Sequence, residues 1–231
     1  MLVPHKNRTA SCRTVEHQKE DAMTSNTTRQ RTFYLVLLAI FLALVLLLQT
    51  LGSFIHIGPV SISLVLIPIV IGGMMLGPLG GTILGLAFGV ITLVAGINGT
   101  DGFTHILFEA HPFLVVLICL GKGTLAGLGA ALIYRACCKR NRVLGTFLSA
   151  GAAPIINTGL FILGALFMQQ TLADNFVADG SSVLYFLIIG CAGINFIAEF
   201  ALNLILAPAL YRVLSVVQQN VAATRKEELR R

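Results

Sequence analysis

Charge is scarce in this chain. Asp, Glu, Lys and Arg make up 11% of its 231 residues, whereas soluble domains carry roughly 25%. Catalytic signatures are missing as well. No Gly-x-x-x-x-Gly-Lys-Ser/Thr phosphate loop occurs, so the chain does not hydrolyse ATP by that route. Neither a His-Glu-x-x-His zinc motif nor a Gly-x-Ser-x-Gly elbow is present, and Ser149 has no intramembrane His to serve as its base. The N-terminal stretch has no early apolar core and no small-residue cleavage site, so it does not read as a signal peptide. The five cysteines (Cys12, Cys119, Cys137, Cys138 and Cys191) lack zinc-site or thioredoxin-like spacing, and no function is assigned to them.

What the chain has in abundance is apolar length. Hydrophobic residues make up 56% of it and concentrate between Phe33 and Val217. Apolar runs between polar or Gly/Pro breaks predict six spans, at 33–52, 62–77, 79–97, 112–135, 143–168 and 182–214. The fold class expected is an all-α integral membrane protein, a six-transmembrane-helix bundle at the cell membrane. Residues 1–31 read as a polar, disordered extension, 32–217 as the membrane domain, and 218–231 as a charged tail.

Lys and Arg orient the bundle. Six precede the first span, four fall between the fourth and fifth (Arg135, Lys139, Arg140, Arg142), and five lie from Arg212 to the end. In a six-span topology these fifteen of sixteen share one side, and the opposite loops carry Asp101, Glu109, Asp174 and Asp179 instead. The positive-inside rule then predicts that both termini are cytoplasmic. The net charge of +6 is explained without a nucleic-acid partner.

The sixteenth basic residue, Lys122, falls inside the fourth span. An intramembrane charge costs at least a few kcal/mol and marks a functional candidate by default. Counting at about 1.5 Å per residue puts Lys122 roughly 15 Å deep, near the bilayer midplane. Asn157 in the fifth span and Asn195 in the sixth reach similar depth. Asn195, Glu199 and Asn203 recur every four residues and so share one helix face. Glu199 is the natural charge partner of Lys122, and the set suggests a polar pocket open to the outside. The alternative is a ligand-free structural or sensory subunit with Lys122 and Glu199 as an internal ion pair. A third reading, an intramembrane enzyme with Glu199 as base, has little support, so the chain is expected not to be an enzyme.

The loops offer covers for such a pocket. Ser53–Ser63 has the composition of a short hairpin, and Asn98-Gly99-Thr100-Asp101-Gly102 opens a loop running to His111 with a strong turn signal. Asn98 joins the candidate substrate-binding residues. His105, Glu109 and His111 do not share one helix face, and no metal site or cofactor is expected from them. Gly81, Gly85 and Gly89 in the third span, and Gly123 and Gly127 in the fourth, repeat at intervals of four and predict close helix packing. Ala39 and Ala43 form a similar small pair on the first span, for packing within the bundle or for docking another subunit.

These residues resemble a known family. The stretch Ile67-Pro68-Ile69-Val70-Ile71-Gly72-Gly73, then Leu76-Gly77-Pro78 and Gly81 to Gly89, is similar to the second and third helices of the substrate-binding S component of energy-coupling factor (ECF) vitamin transporters. The resemblance covers nearly all of residues 30–214. Lys122, Asn157-Thr158, and Asn195 with Glu199 look most like the pantothenate-type branch, which carries Arg at the basic position and Pro just before the Glu, where this chain has Lys122 and Ala198. The resemblance implies a non-enzymatic subunit of an ABC-type importer that captures a vitamin-like small molecule. Its implied partners are a membrane coupling subunit, contacted through Ala39 and Ala43, and two cytoplasmic ATPases. It further implies that Lys122 holds a ligand carboxylate, that Asn157 and Asn195 bind hydroxyl or amide groups, and that Glu199 orients Lys122 or accepts from the ligand.

Overall fold

The computed structural model describes residues 31–52, 56–57, 60–61, 64–138, 140–177 and 182–228. Residues 1–30, assigned above to an extension, and the last three of the tail lie outside them. The architecture is helical apart from one two-residue strand pair. Helix α1 (Arg31–Gly52) leads into β1 (His56–Ile57) and β2 (Val60–Ser61), which pair antiparallel with His56 opposite Ser61. This matches the hairpin read from the composition of Ser53–Ser63. There follow α2 (Leu66–Ile97), α3 (Gly102–Ala110), α4 (Pro112–Cys137) and α5 (Arg142–Ala165). A 3-10 turn (Leu166–Met168) joins α5 to α6 (Gln169–Phe176); then come α7 (Val183–Tyr185), a π turn (Phe186–Gly193) and α8 (Ile194–Glu228). Among the described residues, five stretches are long and apolar enough to cross a membrane: α1, α2, α4, the run Arg142–Phe176, and the run Val183–Ala209.

Local chemistry sets the helix starts. Asn141 caps α5, its side chain accepting from Val143 N at 3.0 Å and Leu144 N at 3.3 Å. Pro112 opens α4, where a missing N–H costs nothing. Asp101 caps α3, accepting from Thr104 N at 3.5 Å and from its hydroxyl at 2.6 Å. The stretch 98–111, expected to be a hinged loop, is therefore mostly helix, with Phe103 and Leu107 buried one turn apart.

The helix α2 is not a single rod. Gly77 takes φ 79° and ψ −170°, a backbone that side-chain-bearing residues resist, and Pro78 follows it. Before Gly77, Ile69 approaches Gly127 and Gly73 approaches Ala131, so 66–76 runs alongside α4 in the same direction. After it, Gly81, Gly85 and Gly89 face Gly127, Gly123 and Cys119, so 78–97 runs against α4. The chain doubles back at Gly77, and a Cβ added to Gly81 would lie 3.2 Å from Gly73 Cα.

That second arm and α4 form a tight glycine-lined seam. A Cβ on Gly89 would stand 2.9 Å from Leu120 Cα, and one on Gly85 would drive into the Gly123 carbonyl. Only residues without a Cβ permit this approach, which in lipid supplies dispersion contacts where hydrophobic collapse between helices is absent.

Three apolar clusters surround a central level. One joins α1, α2 and α4 through Phe41, Val45, Ile69, Leu84 and Phe88. A second, with α3 and α6, gathers Phe103, Leu107, Val115, Met168 and Leu187. A third, at the opposite end, packs Val70, Tyr134, Ala150 and Ala207. The strand pair, α3 and α6 thus mark one end of the bundle. The Gly77 reversal and the connection from α4 to α5 mark the other.

Candidate functional site

Helix register brings the candidate polar residues to one level. Ser149 Oγ donates to Ala130 O at 2.7 Å, and Gly164 packs on Ile118 farther along the same pair. That antiparallel register sets Lys122 of α4 opposite about residues 158–160 of α5. On the other flank of α5, Gly151 packs against Phe200, which sets Asn157 opposite about residues 194–198 of α8. Lys122, Asn157, Asn195 and Glu199 therefore occupy neighbouring helices within roughly a turn of each other.

The Lys122 ammonium lies over two rings, 5.3 Å from the centroid of Phe161 on α5 and 5.9 Å from that of Phe88 on α2. Both distances fall within the reach of a cation–π contact, worth about 2 kcal/mol when desolvated. Glu199 is 2% exposed and accepts from Asn195 Nδ2 at 3.4 Å, while Asn203 Nδ2 donates to the Glu199 backbone carbonyl at 2.8 Å. Asn195 and Glu199 engage each other along one face of α8. Asn157 is buried, and its Oδ1 accepts no hydrogen bond among the described residues.

The other candidates lie elsewhere. Asn98 is exposed at the C-terminal end of α2, its backbone N–H bonded to Val94 O at 3.0 Å, and it stands at the α3 end, apart from the Lys122 level. Ala39 and Ala43 are exposed on α1, on the side away from buried Phe41 and Val45. Their stripe includes exposed Val36, Ile40 and Leu47, so the small pair forms a shallow notch between large apolar side chains. His105 Nδ1 bonds to Gly96 O at 2.8 Å and its Nε2 lies 3.6 Å from Glu109, which fastens α3 to the end of α2. Among the described residues no group of three His, Cys, Asp or Glu is placed to hold a metal. An apolar groove of about 330 Å³ on α4, lined by Phe113, Leu117, Leu120 and Leu125, lies on its outer face and is not the polar site.

Sequence reading missed Phe88 and Phe161, the two rings that hold Lys122. A signal existed for Phe161: it follows Asn157 by four residues and so shares its helix face. Phe88 offered only its place beside Gly89 in the glycine-spaced arm.

Comparison with individual curated proteins finds no match. The family model of the ECF transporter substrate-specific component matches residues 33–211, from the start of α1 to beyond the membrane-length part of α8. Proteins of this kind are transporter subunits rather than enzymes, and they work with a membrane coupling subunit and ATPases. With more than three quarters of its length matched and with helices that suit a multi-pass membrane subunit, this chain belongs to the family of ECF transporter substrate-specific components.

Proposed function

We propose that the chain is the high-affinity substrate-binding subunit of an ECF-type importer, and that it takes up a small carboxylate bearing hydrogen-bonding groups, with pantothenate the best-fitting candidate. One observation carries the reading. A lysine at mid-helix depth has its ammonium over two rings, at the level of the buried Asn157, whose Oδ1 accepts no hydrogen bond among the described residues. Rings stabilise a cation less than an anion does, so the arrangement favours arrival of a ligand carboxylate. Asn157, Asn195 and Glu199 then take the ligand's amide and hydroxyls. Pantothenate offers one carboxylate, one amide and two hydroxyls. Asn98 stands at the rim.

The reversal at Gly77 supports counting α2 as two crossings, which gives six in all and returns both termini to one side. Arg31, Arg135, Arg140, Arg142 and Arg212 then gather at one end, and Asp101, Glu109 and Asp174 at the other, consistent with cytoplasmic termini. The notch at Ala39 and Ala43 is the proposed docking face for the coupling subunit, which brings two ATPases. The ligand-free alternative requires a Lys122–Glu199 ion pair, and the ammonium's position over two rings weighs against it.

The test is mass spectrometry of small molecules released from detergent-purified protein, followed by calorimetry with pantothenate. Tight one-to-one binding is expected, weakened about 100-fold by Lys122→Met through loss of a buried charge-assisted contact. A different released metabolite would replace pantothenate, and no binding across a vitamin panel would overturn the transporter reading. Unchanged affinity in Lys122→Met, with a monodisperse protein, would remove Lys122 from the pocket.

A further inference from the structure

Phe161 on α5 touches both the Lys122 ammonium and the aromatic packing of α3. One face lies 5.3 Å from the Lys122 ammonium, and its ring centroid is 6.0 Å from that of Phe103 on α3, tilted by 53°. Phe103 is 5% exposed and packs in turn on Phe176 of α6 at 4.8 Å, which stacks on Phe186 at 6.1 Å. A row of rings therefore leads from the half-buried Lys122 ammonium to α3, α6 and the π turn that opens into α8. On its other side α3 is tied to α2 by His105 Nδ1 at Gly96 O and by the Asp101 backbone N–H, which donates to Ala95 O at 3.2 Å. The cover thus has a polar attachment to α2 and an aromatic attachment to the Lys122 level.

Both contacts of Phe161 depend on ring orientation. A cation is attracted to the ring face, and a tilted ring pair sets the edge of one against the face of the other. Moving the ammonium off Phe161 removes the constraint on its tilt, and the Phe103 contact must readjust. We propose that Phe161 is a positioning residue that couples the place of the Lys122 ammonium to the packing of α3, so that drawing the lysine towards a ligand loosens or re-seats the cover. The meaning for transport rests on the proposed pocket, but the coupling is a property of the ligand-free chain.

The test is hydrogen exchange of the α3 amides, residues 102–110, in the full chain in nanodiscs without ligand. Wild type is compared with Lys122→Met, Phe161→Leu, the double variant and Phe161→Tyr. Each of the first two is expected to speed α3 exchange about fivefold, the range of one cation–π or ring contact. The double variant should exceed Phe161→Leu by little, and Phe161→Tyr should keep wild-type protection. A purely structural Phe161 would leave α3 insensitive to Lys122→Met, or the two effects would multiply; either result overturns the proposal. Because the chain has no tryptophan, Phe103→Trp adds a single reporter at the cover should Phe161→Leu fail to fold. Its emission should shift when Lys122→Met is added to it, and an unchanged spectrum counts against coupling. Should the exchange cycle hold while pantothenate fails to bind, the coupling stands and the ligand assignment falls. Should pantothenate bind while the cycle proves additive, the ligand assignment stands and the coupling falls.

Discussion

Asn157 illustrates how a single side chain can serve function against stability. Its buried Oδ1 has no hydrogen-bond donor among the described residues, and an unsatisfied buried polar group costs about 1–3 kcal/mol. Replacing Asn157 with Leu should therefore stabilise the ligand-free protein by about 1 kcal/mol, seen as a raised thermal midpoint in detergent. The same change should weaken ligand binding at least tenfold by calorimetry. An asparagine that served only to tie helices together would give the opposite result, a lower midpoint. At this scale the sequence was legible by depth: counting residues placed Lys122, Asn157 and Asn195 at similar depth, and helix register brings them to neighbouring positions. Pairing was not legible. Which of 14 phenylalanines meets a lysine depends on helix rotation, and an apolar ring in an apolar span carries no periodic signal that singles it out.

Glycines decide the matter for whole elements. Gly85 has no room for a side chain, since a Cβ there meets the Gly123 backbone, whereas a Cβ at Gly121 meets nothing within 4 Å. Gly85→Leu should cost about 1–3 kcal/mol by prising α2 from α4. Gly121→Ala should be neutral or stabilising by a few tenths of a kcal/mol. Denaturant titration of the two variants in mixed micelles checks the contrast, and equal stabilities would show that the seam tolerates separation. The four-residue spacing of these glycines announced the seam, and Gly77-Pro78 announced the break, which the chain uses to fold back. The helix α3 was hidden behind Asn98-Gly99-Thr100-Asp101-Gly102, a stretch that reads as a turn. The last part of that signal is also a helix cap, because Asp101 accepts from Thr104 three residues on. Turn and cap share a vocabulary, and burial of Phe103 and Leu107 decided between them.

For the whole molecule, composition and the distribution of Lys and Arg carried most of the information, because a bilayer sorts residues more strictly than water does. What sequence could not supply was the division between faces that meet protein and faces that meet lipid, since both are apolar. The exposed notch of Ala39 and Ala43 is one such face. Ala39→Trp should fill it, abolishing pull-down of the coupling subunit while leaving calorimetric ligand affinity within about twofold, a change below about 0.5 kcal/mol. Normal assembly by this variant would place the docking face elsewhere. The glycine seam also fixes how the bundle is able to move. Two rods whose backbones touch along three successive turns slide or part only by losing every contact at once, so α4 and the second arm of α2 behave as a stiff plank. The opposite wall is built differently: Pro154 interrupts the ladder of α5, and α8 is reached through an eight-residue π turn, places where helices bend most readily. Breathing of the proposed pocket therefore belongs to the α5–α8 wall, with Lys122 carried on the side that stays still.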